Sequence, residues 1–129
     1  MKTEKNFTTS EHPRHAGISD ALALVAKIRE GVRSAFVFEY GSMQVKMYQP
    51  TDLDPQKPHT RDELYIIARG SGWFVNGADR HAFHSGDMLF VPAGVEHRFD
   101  EFTADFCTWV MFYGPEGGER RDRGKSTED

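Results

Sequence analysis

The sequence predicts an all-β fold, a sandwich or barrel, preceded by one short N-terminal helix. Two observations carry this prediction. Apolar segments of four to nine residues alternate with glycine-containing turns from residue 34 onwards, whereas α/β chains alternate strands with longer helical segments. The chain also contains ten Phe, four Tyr and two Trp, side chains that favour the half-buried surface of a pleated sheet.

The N-terminal region is predicted to be a flexible arm over residues 1–18 followed by a helix over residues 20–30. The arm is polar and charged. Within ALALVAKIRE, apolar residues recur at helical spacing; Ser19 is the expected N-cap and Gly31 the expected C-terminal stop.

The strands are predicted in chain order after Gly31. SAFVFEY and MQVKMYQ form a hairpin about Gly41-Ser42, and a loop rich in proline and aspartate follows. The later strands are ELYIIA, WFVN, RHAFH, MLFV, VEHRF and DFCTWVMFY. The mixed-charge tail over 114–129 is predicted to be disordered, which leaves one domain over residues 19–113.

Composition argues against nucleic acid and membrane as partners and favours a cytoplasmic location. A chain of 129 residues has room for one self-sufficient core. The net charge of −4 offers no basic surface for nucleic acid, and no segment approaches the roughly 18 apolar residues of a membrane span. A lone cysteine, Cys107, and the lack of an apolar leader predict a cytoplasmic protein.

Two segments contain residues suited to metal chemistry. The first runs from His59 to Gly70 and the second from Gly86 to His97. If residues 59–63 are extended, His59 and Glu63 point to the same face, because side chains alternate along a strand. His97 would return to that face after the Pro-Ala-Gly turn. Two imidazoles and one carboxylate form a ligand set that suits Fe(II) and related divalent ions.

The second segment resembles the second motif of the cupin family, G-x5-P-x-G-x2-H. Gly86, Pro92, Gly94 and His97 match it at every position. Glu101 replaces the asparagine that ends the family motif.

The first segment resembles the first cupin motif, G-x5-H-x-H-x3-4-E-x6-G, in part. Glu63 and Gly70 keep the E-x6-G relation, and His59 fits the second histidine. Lys57 then stands where the first histidine belongs and Thr51 where the glycine belongs. Alternatively, His59 is the first histidine and Arg61 stands in place of the second. Both alignments keep His59, Glu63 and His97 and lose one of the four usual ligands.

The resemblance covers residues 34–113 and implies a double-stranded β-helix, or jelly-roll barrel, of the small RmlC-like cupin type. It implies a divalent metal, Fe, Mn, Ni or Zn, held by His59, Glu63 and His97, with coordination positions left open to a small-molecule ligand. The expected pocket residues are Lys57, Arg61, Tyr65, Ile67, Tyr48 and Trp73. An inward-facing Lys57 would contact an anionic substrate. His81 and His84 are three residues apart and should point to opposite faces of their strand.

Three functions remain open at this point. The first is a metal-dependent enzyme with dioxygenase-like chemistry on a small molecule. The second is a non-catalytic barrel that binds a small molecule or a metal. The third is a metal-free sugar isomerase or epimerase type of cupin, which requires a histidine–aspartate pair and basic residues for a diphosphate.

The outside of the barrel is predicted to be covered near Leu64 and Ile66. These residues lie on the face opposite Glu63 and Tyr65, so this strand is apolar on both faces. The N-terminal helix, another sheet layer or a second subunit could cover them. Small cupins commonly pair in this way, and we expect a homodimer.

Overall fold

A computed structural model describes residues 14–119 and shows a two-sheet jelly roll with one helix against it. The helix and strands, in chain order, are α1 Ile18–Val25, β1 Ser34–Tyr40, β2 Met43–Tyr48, β3 Asp62–Arg69, β4 Ser71–Asn76, β5 Asp79–His84, β6 Met88–Val91, β7 His97–Asp100 and β8 Cys107–Tyr113. The all-β class with one short N-terminal helix is confirmed. Within the described part of the chain, no helix has the length and apolar character needed to span a membrane.

The eight strands form two antiparallel sheets. The larger has the order β1-β2-β8-β3-β6 and the smaller the order β5-β4-β7. Side chains from both sheets meet in a core that includes Tyr65, Phe74, Phe83, Phe99 and Phe106. The inward-facing positions of β3 are Glu63, Tyr65 and Ile67, all buried, in agreement with the two-residue alternation of a strand.

Helix α1 is shorter than the sequence predicts and begins earlier. Gly17, not Ser19, is the N-cap, and its backbone N–H donates to the Asp20 carboxylate at 2.8 Å. The helix ends at Val25 rather than at residue 30, because Lys27 and Ile28 bond to carbonyls three residues back in a tighter turn. Its buried side chains, Ala21 and Val25, face the larger sheet.

The outer face of the larger sheet is covered by α1 over part of its width. Ala21 and Val25 pack with Ala35, Val37, Met47 and Cys107, a second apolar cluster. Cys107 is fully buried there, on the face of β8 that looks away from the space between the sheets. Leu64 and Ile66 are half-buried, whereas Met88 and Phe90 on the neighbouring strand β6 are 59% and 42% exposed.

The predicted arm and tail fall mainly outside the described residues, which exclude 1–13 and 120–129. Ile18, the last residue of the predicted arm, opens α1. Residues 114–119 make hydrogen bonds to the entry of β3. The Gly117 N–H donates to the Thr60 carbonyl at 2.6 Å, and the Glu119 N–H donates to the Asp62 carboxylate at 2.7 Å.

Candidate metal centre

Glu63 occupies the inner face of the larger sheet, one residue after β3 begins. Strand β3 lies between β8 and β6, so Glu63 faces Phe112 on one side and Val91 on the other. Its side chain is 1% exposed. A carboxylate buried this deeply is rare unless a cation or hydrogen-bond donors compensate it.

His97 reaches Glu63 from the opposite sheet as the first residue of β7. Its Nδ1 lies 2.9 Å from the Val95 carbonyl, so Nδ1 carries a proton, and Nε2 is the ring nitrogen that can bind a metal once it is deprotonated. That Nε2 lies 3.1 Å from Glu63 Oε1 and is completely buried. A backbone carbonyl on the far nitrogen is the usual way of orienting a metal-ligating histidine.

His59 lies in the loop before β3, not on an extended strand as its spacing from Glu63 suggests. Its carbonyl accepts a hydrogen bond from the Gly94 N–H at 2.7 Å, and the Ala93 N–H donates to the Asp62 carboxylate at 2.9 Å. These two bonds join the two motif segments. Gly94 has φ 84°, a left-handed conformation that glycine adopts at least cost. The His59 Nε2 lies 3.8 Å from Glu63 Oε2.

The three side chains converge on one point. One donor atom from each of His59, Glu63 and His97 lies within 4.8 Å of the other two. Both Glu63 oxygens and the His97 Nε2 are buried without a hydrogen-bond partner, and the His97 Nε2 lies 3.1 Å from Glu63 Oε1 as an ion-pair contact. Unsatisfied buried acceptors cost about 1–3 kcal/mol each. A divalent cation would satisfy all of them, so the residues present fit a metal ion.

The two histidines have different proton affinities. Burial lowers the pKa of His59, and the opposing attraction of the Glu63 carboxylate does not offset it. Burial also acts to lower the pKa of His97, but the Glu63 carboxylate and the Val95 carbonyl outweigh burial, and the pKa is raised overall. His59 is therefore the more readily available of the two as a neutral ligand near neutral pH.

A cavity of about 390 Å³ opens beside the candidate metal centre. Its walls combine apolar and polar side chains from β1, β2, β8 and the loop before β3. The lining residues are Val32, Ser34, Lys46, Tyr48, Pro55, Gln56, Lys57, His59, Glu63, Val110 and Phe112. Among the residues predicted for the pocket, Tyr48 and Lys57 line this cavity together with two of the three predicted ligands.

Lys46 is a cavity residue that the sequence analysis missed. Its ammonium group lies 4.6 Å from the centroid of the Phe36 ring. Partial burial lowers the pKa of Lys46, and the Glu63 carboxylate opposes that shift. Lys46 lies two residues before Tyr48 on β2, so strand alternation from Tyr48 would have placed it on the same face.

A polar network in the loop before β3 also escaped prediction. The Asp54 carboxylate accepts hydrogen bonds from the Tyr48 hydroxyl and, at 2.8 Å, from the Phe99 N–H. The Gln56 amide nitrogen donates to the same carboxylate at 3.1 Å. Burial raises the pKa of Tyr48, and Asp54 raises it further. No periodic pattern marks loop residues, so the sequence carried no signal for Asp54 or Gln56.

The other four predicted pocket residues do not line this 390 Å³ cavity. Tyr65 and Ile67 are core residues; the Tyr65 hydroxyl reaches Gln56 at 3.2 Å, and its ring lies 6.1 Å from His97. Arg61 is held by the Ser42 and Gly114 carbonyls and by Gln44, so it fixes the β1–β2 turn. Trp73 faces outward, 38% exposed, with Arg80 over its ring at 4.5 Å. Arg61 lines a second cavity, of about 340 Å³, together with His59 and Phe112. The pocket assignment of Trp73 is wrong, because its ring points outward.

Among the described residues, His81, His84 and Cys107 are outside the candidate metal centre. His81 and His84 are both exposed on β5. His81 contacts the edge of Phe74, and His84 pairs with Asp87 at 3.9 Å. Burial raises the pKa of the Cys107 thiol, which keeps it in the unreactive protonated form.

Comparison with known proteins identifies the class. The family model described as "Cupin domain" matches residues 44–113, more than half of the chain. The protein therefore belongs to the cupin family. A cupin-2 domain protein from Shewanella frigidimarina has a similar structure, with a TM-score of 0.59 at 17% identity over 77% of this chain and 94% of that one. At this identity the likeness concerns the fold alone.

Sequence relatives match over shorter stretches. The uncharacterized protein SCO3923 of Streptomyces coelicolor is 36% identical over 63 residues, which cover 49% of this chain and 60% of that protein. Acireductone dioxygenase 1 of Pectobacterium atrosepticum is 37% identical over 75 residues, which cover 54% of this chain and 43% of that enzyme. The chain thus spans about half the length of these curated relatives.

Proposed function

We propose that this protein is a divalent-metal-dependent enzyme with dioxygenase-like chemistry on a small, oxygen-rich anion. The observation that carries the proposal is the convergence of His59, Glu63 and His97 beside a cavity, where both Glu63 oxygens and the His97 Nε2 are buried without a hydrogen-bond partner. Three protein ligands would leave positions of an octahedral ion open on the cavity side. A bound Fe, Mn, Ni or Zn ion would polarise an oxygen of the substrate or provide a site for dioxygen.

The residues of the chain would bind and orient the substrate. Lys46 and Lys57 place two positive charges on the cavity wall, which favours an anionic group such as a carboxylate or an enediolate. Val110 and Phe112 supply apolar surface that excludes water and strengthens those charge interactions. The His97 ring is locked by Val95, so its position is set before the substrate arrives.

The acireductone dioxygenase relatives point to an enediol of this type as the first substrate to test. The test loads metal-free protein with Fe(II) without air, adds an acireductone and oxygen, and follows oxygen uptake with an electrode. We expect saturable uptake that Glu63→Gln abolishes. Lys46→Met should raise KM roughly ten- to hundredfold with metal content unchanged, since a charged hydrogen bond is worth about 1.5–3 kcal/mol.

Arg80→Met is the matched control for Lys46→Met. Arg80 also lies over an aromatic ring, at 4.5 Å from Trp73, but on the outer face. The Arg80→Met variant should have the same KM as wild type. Metal bound at one per chain with no turnover of acireductones or related enediols would contradict the enzyme proposal and favour the second function, a non-catalytic metal-binding barrel.

A metal-free isomerase receives less support. That chemistry requires a histidine–aspartate pair beside the cavity. The Asp54 carboxylate there contacts Tyr48, Gln56 and Phe99, and the His84–Asp87 pair is exposed at the β5–β6 turn. His59 and His97 both lie against Glu63.

We also propose that the protein forms a homodimer through the outer face of β3 and β6. Met88 and Phe90 are exposed there beside Leu64 and Ile66, a patch that α1 does not cover. Sedimentation at micromolar concentration should show a dimer that Phe90→Glu dissociates. Leu53→Glu, a charge added at another exposed apolar residue, should have no effect. A monomeric wild type would refute this assignment.

A further inference from the structure

The candidate metal centre has one more oxygen donor than the His-Glu-His set. The Gln56 Oε1 lies 3.2 Å from the His59 Nε2 and 3.2 Å from the Tyr65 hydroxyl. Gln56 lines the same cavity as His59 and Glu63. It therefore stands beside the ligands in the loop where the cupin motif would have supplied another histidine.

The orientation of the Gln56 amide is fixed by Asp54. The amide nitrogen donates to Asp54 Oδ2 at 3.1 Å, and the Gln56 backbone N–H donates to Asp54 Oδ1 at 3.2 Å. A carboxylate only accepts hydrogen bonds, so the nitrogen must face Asp54 and the oxygen must face His59. Asp54 is itself held by Tyr48 and by the Phe99 N–H. The donor oxygen is thus positioned by residues from β2, β7 and the loop.

The spacing of these atoms suits joint ligation. Two donors bound at right angles to one ion, with bonds of about 2.1 Å, stand about 3 Å apart. The Gln56 Oε1–His59 Nε2 distance of 3.2 Å and the His97 Nε2–Glu63 Oε1 distance of 3.1 Å both match this value. An amide oxygen is neutral, like the imidazole it would replace, so the charge of the ligand set is unchanged.

We propose that Gln56 is the fourth protein ligand of the metal ion, in place of the histidine that the first cupin motif lacks here. The inference rests on the proposed metal site and specifies its ligand set. Oxygen is a harder donor than imidazole nitrogen, so this set shifts the preference of the site toward Mn(II) and Fe(II) relative to a three-histidine site. The ion then keeps two open octahedral positions, enough for a bidentate substrate.

The alternative role for Gln56 is to orient His59 by accepting a hydrogen bond from Nε2–H. The two roles predict different ring nitrogens on the metal. If Gln56 is a ligand, His59 binds through Nε2, the nitrogen nearest Gln56 Oε1. If Gln56 is only an acceptor, Nε2 keeps its proton and His59 must bind through Nδ1.

Two measurements on the full chain test this assignment, with Zn(II) as a diamagnetic probe: the affinity for Zn(II), and NMR of the histidine ring nitrogens. Zn(II) affinity is measured by chelator competition for wild type, Gln56→Met and Gln56→Glu. Gln56→Met keeps the length of the side chain but removes its oxygen, and we expect roughly ten- to hundredfold weaker binding. Gln56→Glu keeps an oxygen donor but loses the hydrogen bond to Asp54, so it should bind Zn(II) more tightly than Gln56→Met. Thermal unfolding of each metal-free variant checks that it is folded.

Gln49→Ala is the matched control, because the Gln49 oxygen accepts a hydrogen bond from Arg33 at 3.0 Å, away from the metal centre. Its Zn(II) affinity should equal that of wild type. In the Zn(II)-loaded wild type, long-range ¹H–¹⁵N correlations should show His59 metallated at Nε2, which would support ligation by Gln56.

Two results would overturn the assignment of Gln56 and leave the metal site intact. One is a Gln56→Met variant that binds Zn(II) as tightly as wild type. The other is a His59 ring bound through Nδ1 with Nε2 still protonated. Failure of wild type to bind Zn(II), Mn(II) or Fe(II) would overturn the proposed function itself and this ligand assignment with it.

Discussion

The two ends of the space between the sheets are built on opposite principles. At one end Phe83, Phe99 and Phe106 pack with ring centroids 4.7–5.3 Å apart, and all three are buried. At the other end Glu63 and His97 are buried with donor atoms that have no hydrogen-bond partner. The aromatic end provides stability, whereas the polar end stores unsatisfied groups that a ligand can use.

Strand β7 and Tyr65 connect the two ends. His97 and Phe99 lie two residues apart on β7 and so share its inner face. Tyr65 packs its ring against Phe99 at 4.9 Å and points its hydroxyl toward Gln56. Within the close-packed core, Phe99 and Tyr65 therefore contact the polar residues directly, whereas Phe83 does not. Substitutions at the two ends should therefore separate the residues that set the free energy of unfolding from those that set metal affinity.

The largest expected effect on stability is at the aromatic end. Phe83→Ala removes a fully buried ring in contact with Phe99 and Phe106. It should lower the free energy of unfolding by about 3–5 kcal/mol, measured by urea denaturation. Metal affinity, measured where the variant remains folded, should stay within about twofold of wild type, since Phe83 touches no ligand. A parallel loss of metal affinity would show that the two ends are not separable.

Glu63→Gln should give the reverse pattern. Metal affinity should fall on the order of 100-fold or more, because loss of a ligand costs at least as much as loss of a residue that orients one. The metal-free variant should be as stable as wild type or more stable, because the change removes a buried charge without a hydrogen-bond partner. Destabilisation of the metal-free variant by several kcal/mol would mean that Glu63 is a structural residue.

Metal binding should weaken as the solution becomes more acidic. His97 has a raised pKa, so near neutral pH it loses a proton when metal binds, whereas His59, with its lowered pKa, is already neutral. About one proton should be released per ion between pH 6.5 and the raised pKa of His97, measured by calorimetry in buffers of different ionisation enthalpy. Release of two protons in this range would contradict the difference between the histidines.

In the metal-free protein, the raised pKa of His97 also makes the free energy of unfolding depend on pH. A histidine whose folded pKa is raised contributes stability below its ordinary pKa, and this contribution is lost as the pH rises through the folded value. The contribution of His97 should therefore decline above pH 6.5, and Glu63→Gln should reduce it.

The smallest expected effect lies at the end of β7, away from both ends of the core. Glu101 has φ 48°, a left-handed conformation in which glycine and asparagine are more stable than glutamate. Glu101→Asn should raise the free energy of unfolding by about 0.5–1 kcal/mol, with metal affinity unchanged. Unchanged or lower stability would indicate that the exposed Arg80–Glu101 pair, at 3.7 Å, offsets the backbone cost.

The sequence was informative where periodicity or a motif applied. Strand alternation placed Glu63 and Tyr65 on the inner face, and apolar segments separated mostly by glycine-containing turns located the eight strands. The same alternation places Lys46 on the face of β2 that carries Tyr48, so Lys46 was also predictable as a cavity residue. Loop residues follow no period, so Asp54 and Gln56 depended on tertiary contacts with β2 and β7. Trp73 was misplaced because residue type alone does not distinguish an inward from an outward position on a short strand.

The most direct test of the account is the metal content of untagged protein, determined by mass spectrometry after reconstitution with Fe, Mn, Ni and Zn. Wild type should bind close to one ion per chain, and His97→Ala and Glu63→Gln should bind almost none. Arg80→Met should match wild type. The absence of stoichiometric metal in wild type with every one of the four ions would contradict the metal centre on which the proposed chemistry depends.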